Sequence, residues 1–278
     1  MADEARWTQF TDGQHTLDLL TARYHRHAFT PHSHATYAIG VVLSGTETIH
    51  YRGAEHRAGV GSLAILEPDE RHDGRSADPA GWAYRVLYPT EAMLLEGFAG
   101  RPTFAEAIVD DPATTRLVLA AHEAVTAGAD PLAAQSLVTL ALQAIVRRHG
   151  TSTAFGSATP RPGDRAANRA VSAIRDRLLA DLRCAPGLRE LAAGVELSPY
   201  HLIKVFKDAT GFPPHTWLVL ERICRARHLL ATGASPAQVS SAVGFADQAH
   251  LTRWFKRVTG VTPGAYRKSV QDPVRMPV

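Results

Sequence analysis

Short apolar segments separated by polar turns dominate residues 15–90. The segments at 37–43, 47–51, 62–66 and 82–88 are rich in β-branched or aromatic residues, and glycine-containing turns separate the first three. Strands at such short intervals are typical of antiparallel barrels and jelly rolls. This part of the sequence therefore predicts an all-β barrel.

The hydrophobic period changes after Pro89. Segments 115–126 and 131–148 are rich in alanine and leucine at helical spacing. The apolar stripe of the second segment consists of Leu132, Leu137, Leu140, Leu142 and Ile145. We expect these helices either to cover the barrel of their own chain or to pack against a second subunit.

A polar stretch at 151–163 is rich in Gly, Pro, Ser and Thr, as interdomain linkers are. It divides the chain into a barrel at 1–100, a helical region at 101–150, the linker itself, and an all-helical domain at 164–270. The predicted fold class is thus multi-domain: an N-terminal all-β barrel with trailing helices, followed by an all-α domain.

Helix start signals recur throughout the C-terminal domain. Serine followed by proline, at 198–199 and at 235–236, places an N-cap residue before a proline at the first helical position. Asp164 and Asp247 are further N-cap candidates, the first for a helix that runs to about residue 183. The pattern predicts short helices on either side of one long helix at 214–232.

A sequence repeat lies within this helical domain. Residues 202–211 return in altered form as residues 251–260, and His201 upstream corresponds to His250. A near-copy at a fixed interval indicates one structural unit that occurs twice. Each unit is predicted to be a short helix, a turn and a second helix rich in basic residues, so the two units are expected to contact DNA at two successive places.

Charge is distributed unevenly along the chain. Residues 164–278 hold 17 Lys and Arg against 9 Asp and Glu, whereas residues 1–163 hold 13 against 18. The formal net charge of +3 therefore combines +8 in the part with the repeat and −5 in the rest. Such an asymmetry indicates a polyanionic partner for the C-terminal part, and double-stranded DNA fits it.

The second helix of each unit has an apolar face and a polar face. The residues expected to pack inward are Leu202, Phe206, Ala209, Leu251, Phe255 and Val258. The candidate DNA-binding residues are Tyr200, His201, Ile203, Lys204, Lys207, Gln248, Ala249, His250, Thr252, Arg253, Lys256 and Arg257. A recognition helix needs this division, because its N-terminal residues reach base edges while its other face stays in the core.

Individual roles follow from side-chain chemistry. Arg253 suits a bidentate pair with guanine and Gln248 suits adenine, whereas Lys207, Lys256 and Arg257 are expected to meet phosphates. The connecting helix of about 18 residues spans roughly 27 Å. With the flanking elements added, recognition helices ~34 Å apart, one turn of DNA, become feasible.

Segments 191–211 and 239–267 resemble the signature of the AraC/XylS family of transcriptional regulators. The resemblance implies an all-helical domain with two helix-turn-helix motifs, paired with a domain that senses a small-molecule effector and forms a homodimer. It also implies transcriptional activation, with RNA polymerase as a further partner. By match to the family motif, the base-reading positions are Tyr200, Ile203, Lys204, Gln248, Ala249, His250 and Arg253.

The first unit departs from the family pattern. Glu196 stands where the family often has glycine, so a left-handed turn there is expected to carry strain. Lys204 stands where arginine is common, and an ammonium reads guanine less specifically than a guanidinium. We therefore expect less sequence specificity from the first unit than from the second.

Histidines are concentrated in the N-terminal part, with eight of the 14 in the first 72 residues. His32 and His34 share one face of an extended segment, and His72 follows a predicted strand. The arrangement resembles the cupin barrel, whose metal-binding members use His-x-His, a Glu and a distant His; the Glu position corresponds to about Ala38 here. Two interpretations stay open: His32, His34, Tyr37 and His72 line an effector pocket without metal, or the three histidines hold a divalent metal such as zinc with an open fourth position.

The remaining expectations concern the class of protein. The sequence contains no apolar run of ~18 residues, so we expect no membrane span. The charged N-terminus and the two cysteines favour a reduced, cytoplasmic protein with buried thiols. The leading hypothesis is a DNA-binding regulator that is not an enzyme and needs no cofactor. The alternatives are a metal-responsive regulator and a cupin metalloenzyme fused to a DNA-binding domain.

Overall fold

The computed structural model describes residues 3–12, 14–95, 100–152 and 162–271. Within them the chain forms two compact units, one of residues up to 152 together with 265–271, and one of residues 162–264. Most of the predicted linker at 151–163 lies outside the described residues. The predicted fold class is confirmed: strands dominate the N-terminal part, and the C-terminal part is helical.

Antiparallel strands form the framework of the first unit. They are β1 (Glu4–Thr11), β2 (Thr16–Tyr24), β3 (Ala28–His32), β4 (Ala38–Ser44), β5 (Glu47–Tyr51), β6 (Ala54–Ala58), β7 (Leu63–Leu66), β8 (His72–Ser76), β9 (Trp82–Tyr88), β10 (Pro102–Phe104), β11 (Ile108–Val109) and β12 (Gly150–Ser152). One sheet has the order β1-β2-β9-β4-β7-β11 and a second has the order β3-β8-β5-β6, while β10 pairs with β12.

Side chains from the two main sheets meet in the interior of the first unit. The ring of Tyr24 on β2 lies edge-on to Phe29 on β3, with centroids 5.5 Å apart. The register of the second sheet places His32 on β3 directly opposite His72 on β8. This register brings residues 40 positions apart in sequence into one cluster.

Between residues 91 and 149 the same unit contains three helices, namely α1 (Glu91–Leu95), α2 (Pro112–Thr126) and α3 (Pro131–His149). Strand residues such as Leu19 and Ile39 share one core with Val118 of α2 and Ile145 of α3. Each fully buried side chain of this size contributes about 1.5–3 kcal/mol relative to exposure. The helices therefore cover the β structure of their own chain, which was one of the two arrangements expected from the sequence.

The predicted apolar stripe of α3 is only partly buried. Leu142 and Ile145 lie in the core and Leu137 packs against it, but Leu132 is 72% exposed and Leu140 is 53% exposed. The four leucines and Ile145 are distributed around too much of the helix circumference for one neighbouring element to cover them all. The helix thus keeps an apolar strip on its outer side.

Helices make up the second part of the chain. They are α4 (Pro162–Ala180), α5 (Leu188–Gly194), α6 (Pro199–Thr210), α7 (Pro214–Ala231), α8 (Pro236–Ala242), α9 (Gln248–Thr259) and α10 (Pro263–Gln271). The core of the second unit contains Leu191, Leu202, Phe206 and Trp217. The rings of Phe206 and Trp217 meet edge-on at 5.7 Å.

Several expectations from the sequence are wrong in detail. Ala209 is exposed rather than packed inward. Cys184 and Cys224 are exposed rather than buried, since each lies on an outer face of its segment. The helix predicted to start after Asp164 begins at Pro162 and ends at Ala180. None of the described helices combines the length and apolar composition that a membrane span requires.

Candidate functional sites: DNA interface and histidine cluster

The two helices predicted to read DNA have matching ends. The Ser198 hydroxyl accepts a hydrogen bond from the backbone N–H of His201 at 3.2 Å, and the Asp247 carboxylate accepts one from that of His250 at 2.6 Å. Gly211 ends α6 at φ 77° and Gly260 ends α9 at φ 78°. These stops need glycine, because other residues adopt this left-handed conformation at a cost.

The turns that precede the two helices differ by one residue. The N–H of Leu197 bonds to the carbonyl of Ala192, and 48 residues later that of Phe245 bonds to the carbonyl of Ser240. The N-cap residues Ser198 and Asp247, in contrast, are 49 residues apart, as are the glycines that end α6 and α9. The extra residue of the second turn is therefore Ala246.

Both turns contain a residue in the left-handed region. Gly244 has φ 84°, and the matching Glu196 has φ 55°. A Cβ added to Gly244 would lie 2.5 Å from the carbonyl oxygen of Leu182, so glycine is required there for two reasons. The left-handed conformation expected at Glu196 is confirmed, and for a residue other than glycine this conformation costs roughly 1–2 kcal/mol.

Most candidate DNA-binding side chains are exposed. Tyr200 is 80% exposed, and the other exposed candidates are His201, Lys204, Lys207, Gln248, Ala249, Arg253, Lys256 and Arg257. The inward residues Leu202, Phe206, Leu251 and Phe255 are buried. Each helix therefore presents a polar face over an apolar one.

Three candidates are half-buried and have intramolecular contacts. Ile203 lines an apolar groove of about 420 Å³ beside Leu191 and Leu218. The Thr252 hydroxyl donates to the carbonyl of Gln248 at 2.8 Å. The His250 ring lies edge-on to Phe245, 5.1 Å between centroids.

Trp254, which was not among the candidates, contacts Arg257, a residue predicted to meet phosphate. The guanidinium of Arg257 lies over its ring, 5.5 Å from the centroid. Such stacking restrains Arg257. The i, i+3 spacing of the two residues on one helix is the signal that would have identified the pair.

In the first unit, His32, His34 and His72 form a cluster. One nitrogen from each ring lies within 4.8 Å of the nitrogens of the other two. The rings of His32 and His72 are 4.4 Å apart and those of His34 and His72 are 4.8 Å apart, between centroids. His32 and His72 are buried, and His34 is half-buried.

Main-chain carbonyls orient all three imidazoles. The Nδ1 atoms of His32, His34 and His72 lie 2.9, 2.7 and 2.9 Å from carbonyl oxygens of residues 30, 36 and 70. A carbonyl only accepts, so each Nδ1 carries the proton and Nε2 carries the in-plane lone pair. Burial, reinforced by the neighbouring histidine, lowers the pKa of His32 and of His72 to about 3. Both rings are therefore neutral at pH 7.

Tyr37, the fourth residue predicted for the pocket, contacts other groups. It is fully buried in the apolar core, its hydroxyl donates to the carbonyl of Pro102 at 2.7 Å, and its ring lies edge-on to Phe104. The structure thus brings three of the four predicted residues together.

The interior of the β domain contains polar groups that the sequence reasoning missed. Burial raises the pKa of Glu47 on β5 to about 8. Among the described residues, neither the Tyr24 hydroxyl nor the Trp82 indole N–H has a hydrogen-bond partner, and both atoms are buried. The alternation of β5, which places Glu47 on the same face as Ile49 and Tyr51, is the signal that would have identified the carboxyl.

Two sequence profiles match the chain in the order of its domains. The family described as AraC-like ligand binding domain matches residues 14–142, and the family described as helix-turn-helix domain matches residues 191–269. The chain belongs to the AraC family of transcriptional regulators. It is accordingly a regulator with an effector-binding N-terminal domain and a DNA-binding C-terminal domain.

Relatives within the AraC family align along most of the chain. The arabinose operon regulatory protein of Escherichia coli is 26% identical over 86% of this chain and 82% of its own length. The transcriptional activator RhaS of Klebsiella pneumoniae is 25% identical over 90% and 91%. The fold resembles that of wild-type ToxT from Vibrio cholerae with a bound unsaturated fatty acid, with a TM-score of 0.56, 12% identity, and 97% and 96% of the two chains covered.

Proposed function

We propose that this AraC-family protein is a transcriptional activator that reads DNA with α6 and α9 and is controlled by an effector bound inside its β domain. The matching caps and stops of these two helices carry the proposal, because they present two polar helix faces in the part of the chain that holds the positive charge. RhaS, a relative, is named as an activator.

The proposed contacts divide into two kinds. Base edges meet Tyr200, Ile203 and Lys204 from α6, and Gln248, Ala249, His250 and Arg253 from α9. His201 and Thr252 lie beside them, and phosphates meet Lys207, Lys256 and Arg257. Base contacts supply sequence specificity and phosphate contacts fix the position of the protein on the duplex.

DNA binding at several salt concentrations tests this part of the proposal. The logarithm of the association constant is expected to fall linearly with the logarithm of the salt concentration, with a slope near −0.9 for each phosphate contact. Selection from a pool of random duplexes is expected to enrich one sequence. Binding without salt dependence, or without any enriched sequence, would falsify it.

The proposed effector site lies in the β domain. His32, His34 and His72 provide oriented imidazoles, and the buried polar groups of Tyr24, Glu47 and Trp82 provide further contacts. Buried polar atoms without protein partners are costly unless a ligand or water satisfies them. The ToxT structure holds a fatty acid, whereas a relative of this chain is named for arabinose, so the class of ligand differs among these proteins.

We propose a homodimer whose contact includes the outer strip of α3. Leu132 and Leu140 are leucines exposed on this helix, and an apolar strip of this kind favours association with another surface. RNA polymerase is a proposed partner for activation. We further propose a cytoplasmic location, no catalytic activity, and the domain limits 1–100, 101–150, 151–163 and 164–270.

A metal-responsive regulator is the second candidate, and the convergence of three imidazoles favours it. Equilibrium binding to the selected duplex, with and without added Zn²⁺, separates the two candidates. A change in DNA affinity on addition of Zn²⁺ alone supports the metal-responsive regulator, and an unchanged affinity supports an organic effector.

A further inference from the structure

We propose that the β domain binds a small organic cation, an ammonium compound that also carries an oxygen atom, beside Glu47 and the aromatic rings around it. The cation would be the effector of the site proposed above, and only this regulatory consequence rests on the proposed function. The residues that select it are not the three histidines, and its binding is measured without DNA. Failure of the cation site and failure of the proposed regulation are therefore distinguishable.

Glu47 is an acidic residue deep in the β domain without a cationic partner. Burial raises the pKa of its carboxyl to about 8, and within the part of the chain that the structure describes neither a hydrogen bond nor a positive charge opposes this shift. The residue is nonetheless only half-buried, so it borders a space at least the size of a water molecule. A carboxyl in such surroundings is stabilised in its charged form by a cation that enters with the ligand.

Four aromatic side chains form a continuous wall, which consists of Tyr24, Phe29, Trp82 and Tyr84. The ring of Tyr24 lies 5.5 Å from that of Phe29 and 5.3 Å from that of Trp82, between centroids. Trp82 in turn stacks on Tyr84 with centroids 5.9 Å apart and ring planes 5° from parallel. The faces of aromatic rings carry partial negative charge and attract cations. A wall of rings next to a carboxyl therefore favours a cation and disfavours an anion.

Two observations place the Glu47 carboxyl beside this aromatic wall. Burial raises the pKa of Tyr24 and of Tyr84 above the ordinary value for tyrosine, and the charge of Glu47 contributes to both increases. A Cβ added to Gly74 would lie 2.7 Å from a carboxyl oxygen of Glu47 and 3.7 Å from the ring of Phe29. Glycine at this position thus leaves room for the carboxyl next to Phe29, and a larger residue would displace it.

The polar atoms of the aromatic wall indicate a second group on the ligand. The Trp82 indole N–H can only donate a hydrogen bond, whereas the Tyr24 hydroxyl can donate and accept. Both side chains are fully buried, and neither polar atom has a hydrogen-bond partner among the described residues. An ammonium group has no lone pair to offer the indole N–H. The ligand is therefore expected to carry a separate acceptor, which an oxygen atom provides.

A bound cation is expected to change the ionisation of Glu47. A carboxyl with a pKa of about 8 is largely protonated at pH 7, and a positive charge within ~4–6 Å favours its charged form, so each cation bound should release about one proton. The hydroxyls of Tyr24 and Tyr84, which lie in the electrostatic range of Glu47, stay neutral at this pH because their pKa values are raised. Proton release therefore reports on Glu47.

The test uses the full chain and two probes of the same shape. Choline is a quaternary ammonium ion with a hydroxyl group, and 3,3-dimethylbutan-1-ol is its neutral carbon analogue. In isothermal titration calorimetry we expect choline to bind at least about 10-fold more tightly, since a desolvated cation–π contact alone contributes a factor of this order. Titrations in buffers of different ionisation enthalpy are expected to show proton release with choline and none with the alcohol.

Three variants locate the site. Glu47→Gln keeps the shape of the side chain and is expected to weaken choline binding at least about 10-fold, to abolish proton release and to leave the affinity for the alcohol unchanged. Gly74→Ala displaces the same carboxyl and is expected to weaken choline binding as well. Glu55→Gln is the matched control, because Glu55 is a glutamate on neighbouring β6 whose carboxylate lies at the surface near His50 and Arg75. Its replacement is expected to leave choline affinity unchanged.

Circular dichroism checks that each variant is folded. The proposal is overturned if the alcohol binds as tightly as choline, if neither probe binds, or if a folded Glu47→Gln protein retains the full affinity for choline. Choline binding that depends on Glu47 but leaves the affinity for the selected duplex unchanged would support the cation site and contradict only the proposed regulation.

Discussion

Arg253 is exposed on α9, within two turns of the N-terminus of the helix. A guanidinium that pairs with guanine through two hydrogen bonds contributes about 1–3 kcal/mol of discrimination. Lys204, on the polar face of α6, offers a point charge instead. We expect Arg253→Ala to relax base preference at one position of the selected duplex more than Lys204→Ala does, in a competition assay over single-base variants.

Lys256→Ala is the control for this comparison. Because Lys256 is a proposed phosphate contact, its replacement by alanine is expected to weaken binding to all sequences alike and to reduce the magnitude of the salt slope by about 1. The ranking of the two recognition helices is wrong if Lys204→Ala causes the greater loss of specificity.

Glu196 and Gly244 allow the strain in the two turns to be measured. Glu196 is exposed and has φ 55°, so Glu196→Gly is expected to raise the free energy of unfolding by about 0.5 kcal/mol: relief of ~1–2 kcal/mol of strain exceeds the entropy that glycine adds to the unfolded chain. Gly244→Ala is expected to lower it by more than about 1 kcal/mol, because its Cβ would clash with the backbone at residues 182 and 183. Calorimetry of the two variants tests both signs, and a destabilised Glu196→Gly protein would contradict the first.

The sequence predicted single residues well where local backbone chemistry decides. The caps at Ser198 and Asp247 follow from residue type and spacing, whereas the left-handed turn at Glu196 follows from the resemblance to the family pattern, and the structure contains all three. The burial of Ala209 was predicted wrongly, because burial depends on the elements that pack nearby as well as on residue type and helical spacing. Backbone strain depends on the conformation of the residue itself, whereas burial depends on the elements that pack around it.

At the scale of elements, Asp111 joins α2 to α3. Its buried carboxylate caps α2 through the N–H groups of Ala113 and Thr114 and receives hydrogen bonds from Arg148 at 2.7 Å and His149 at 2.8 Å, at the end of α3. Asp111→Asn keeps the shape but removes the charge from these pairs. We expect a loss of about 1–2 kcal/mol in the free energy of unfolding at pH 7, measured by calorimetry, because Arg148 is 55% exposed and solvent screens its attraction to Asp111.

Asp130→Asn is the matched control, because Asp130 caps the exposed start of α3 through two backbone N–H groups alone, and asparagine is an equally good cap. A similar loss in both variants would show that the cap and not the ion pairs matters.

The Asp111 carboxylate is expected to make the free energy of unfolding depend on pH. Hydrogen bonds from Thr114, Arg148 and His149, with that of Thr114 the largest effect, lower the pKa of Asp111 below its ordinary value of 3.8. A depressed pKa stabilises the folded state above the unfolded-state pKa, and the contribution is lost as the pH falls below about 4. The difference between wild type and Asp111→Asn is therefore expected to shrink in acid, and a difference that grows would contradict this assignment.

The strands and helices differ in how far the sequence predicts their contacts. Apolar alternation located β4, β5, β7 and β9 to within a residue, but not β1, whose eight residues mix charged, polar and aromatic side chains. The convergence of the three histidines depends on the β3–β8 register. A shift of one residue would turn His72 to the other face of the sheet, and sequence pattern alone does not fix that register.

At the scale of the whole molecule, the N-terminal and C-terminal parts of the chain, divided at residue 163, carry opposite formal charge. The C-terminal part, at +8, holds both recognition helices, and the N-terminal part, at −5, holds the histidine cluster. Attraction to DNA is thereby confined to one part of the chain. Control by an effector requires different affinities of the effector for the DNA-binding and non-binding arrangements.

The proposed dimer is the assembly on which that control depends. Leu132 and Leu140 are exposed by 72% and 53% on α3, and glutamate at both positions would place like charges against each other across the interface. We expect the double variant Leu132→Glu/Leu140→Glu to raise the dimer dissociation constant at least about 10-fold, from the apolar burial lost, as measured by sedimentation velocity. Val60→Glu alters another hydrophobic residue that is 67% exposed and is expected to leave the dimer unchanged. If Val60→Glu dissociates the dimer and the α3 variant does not, the subunits meet elsewhere, and the strip on α3 has another partner.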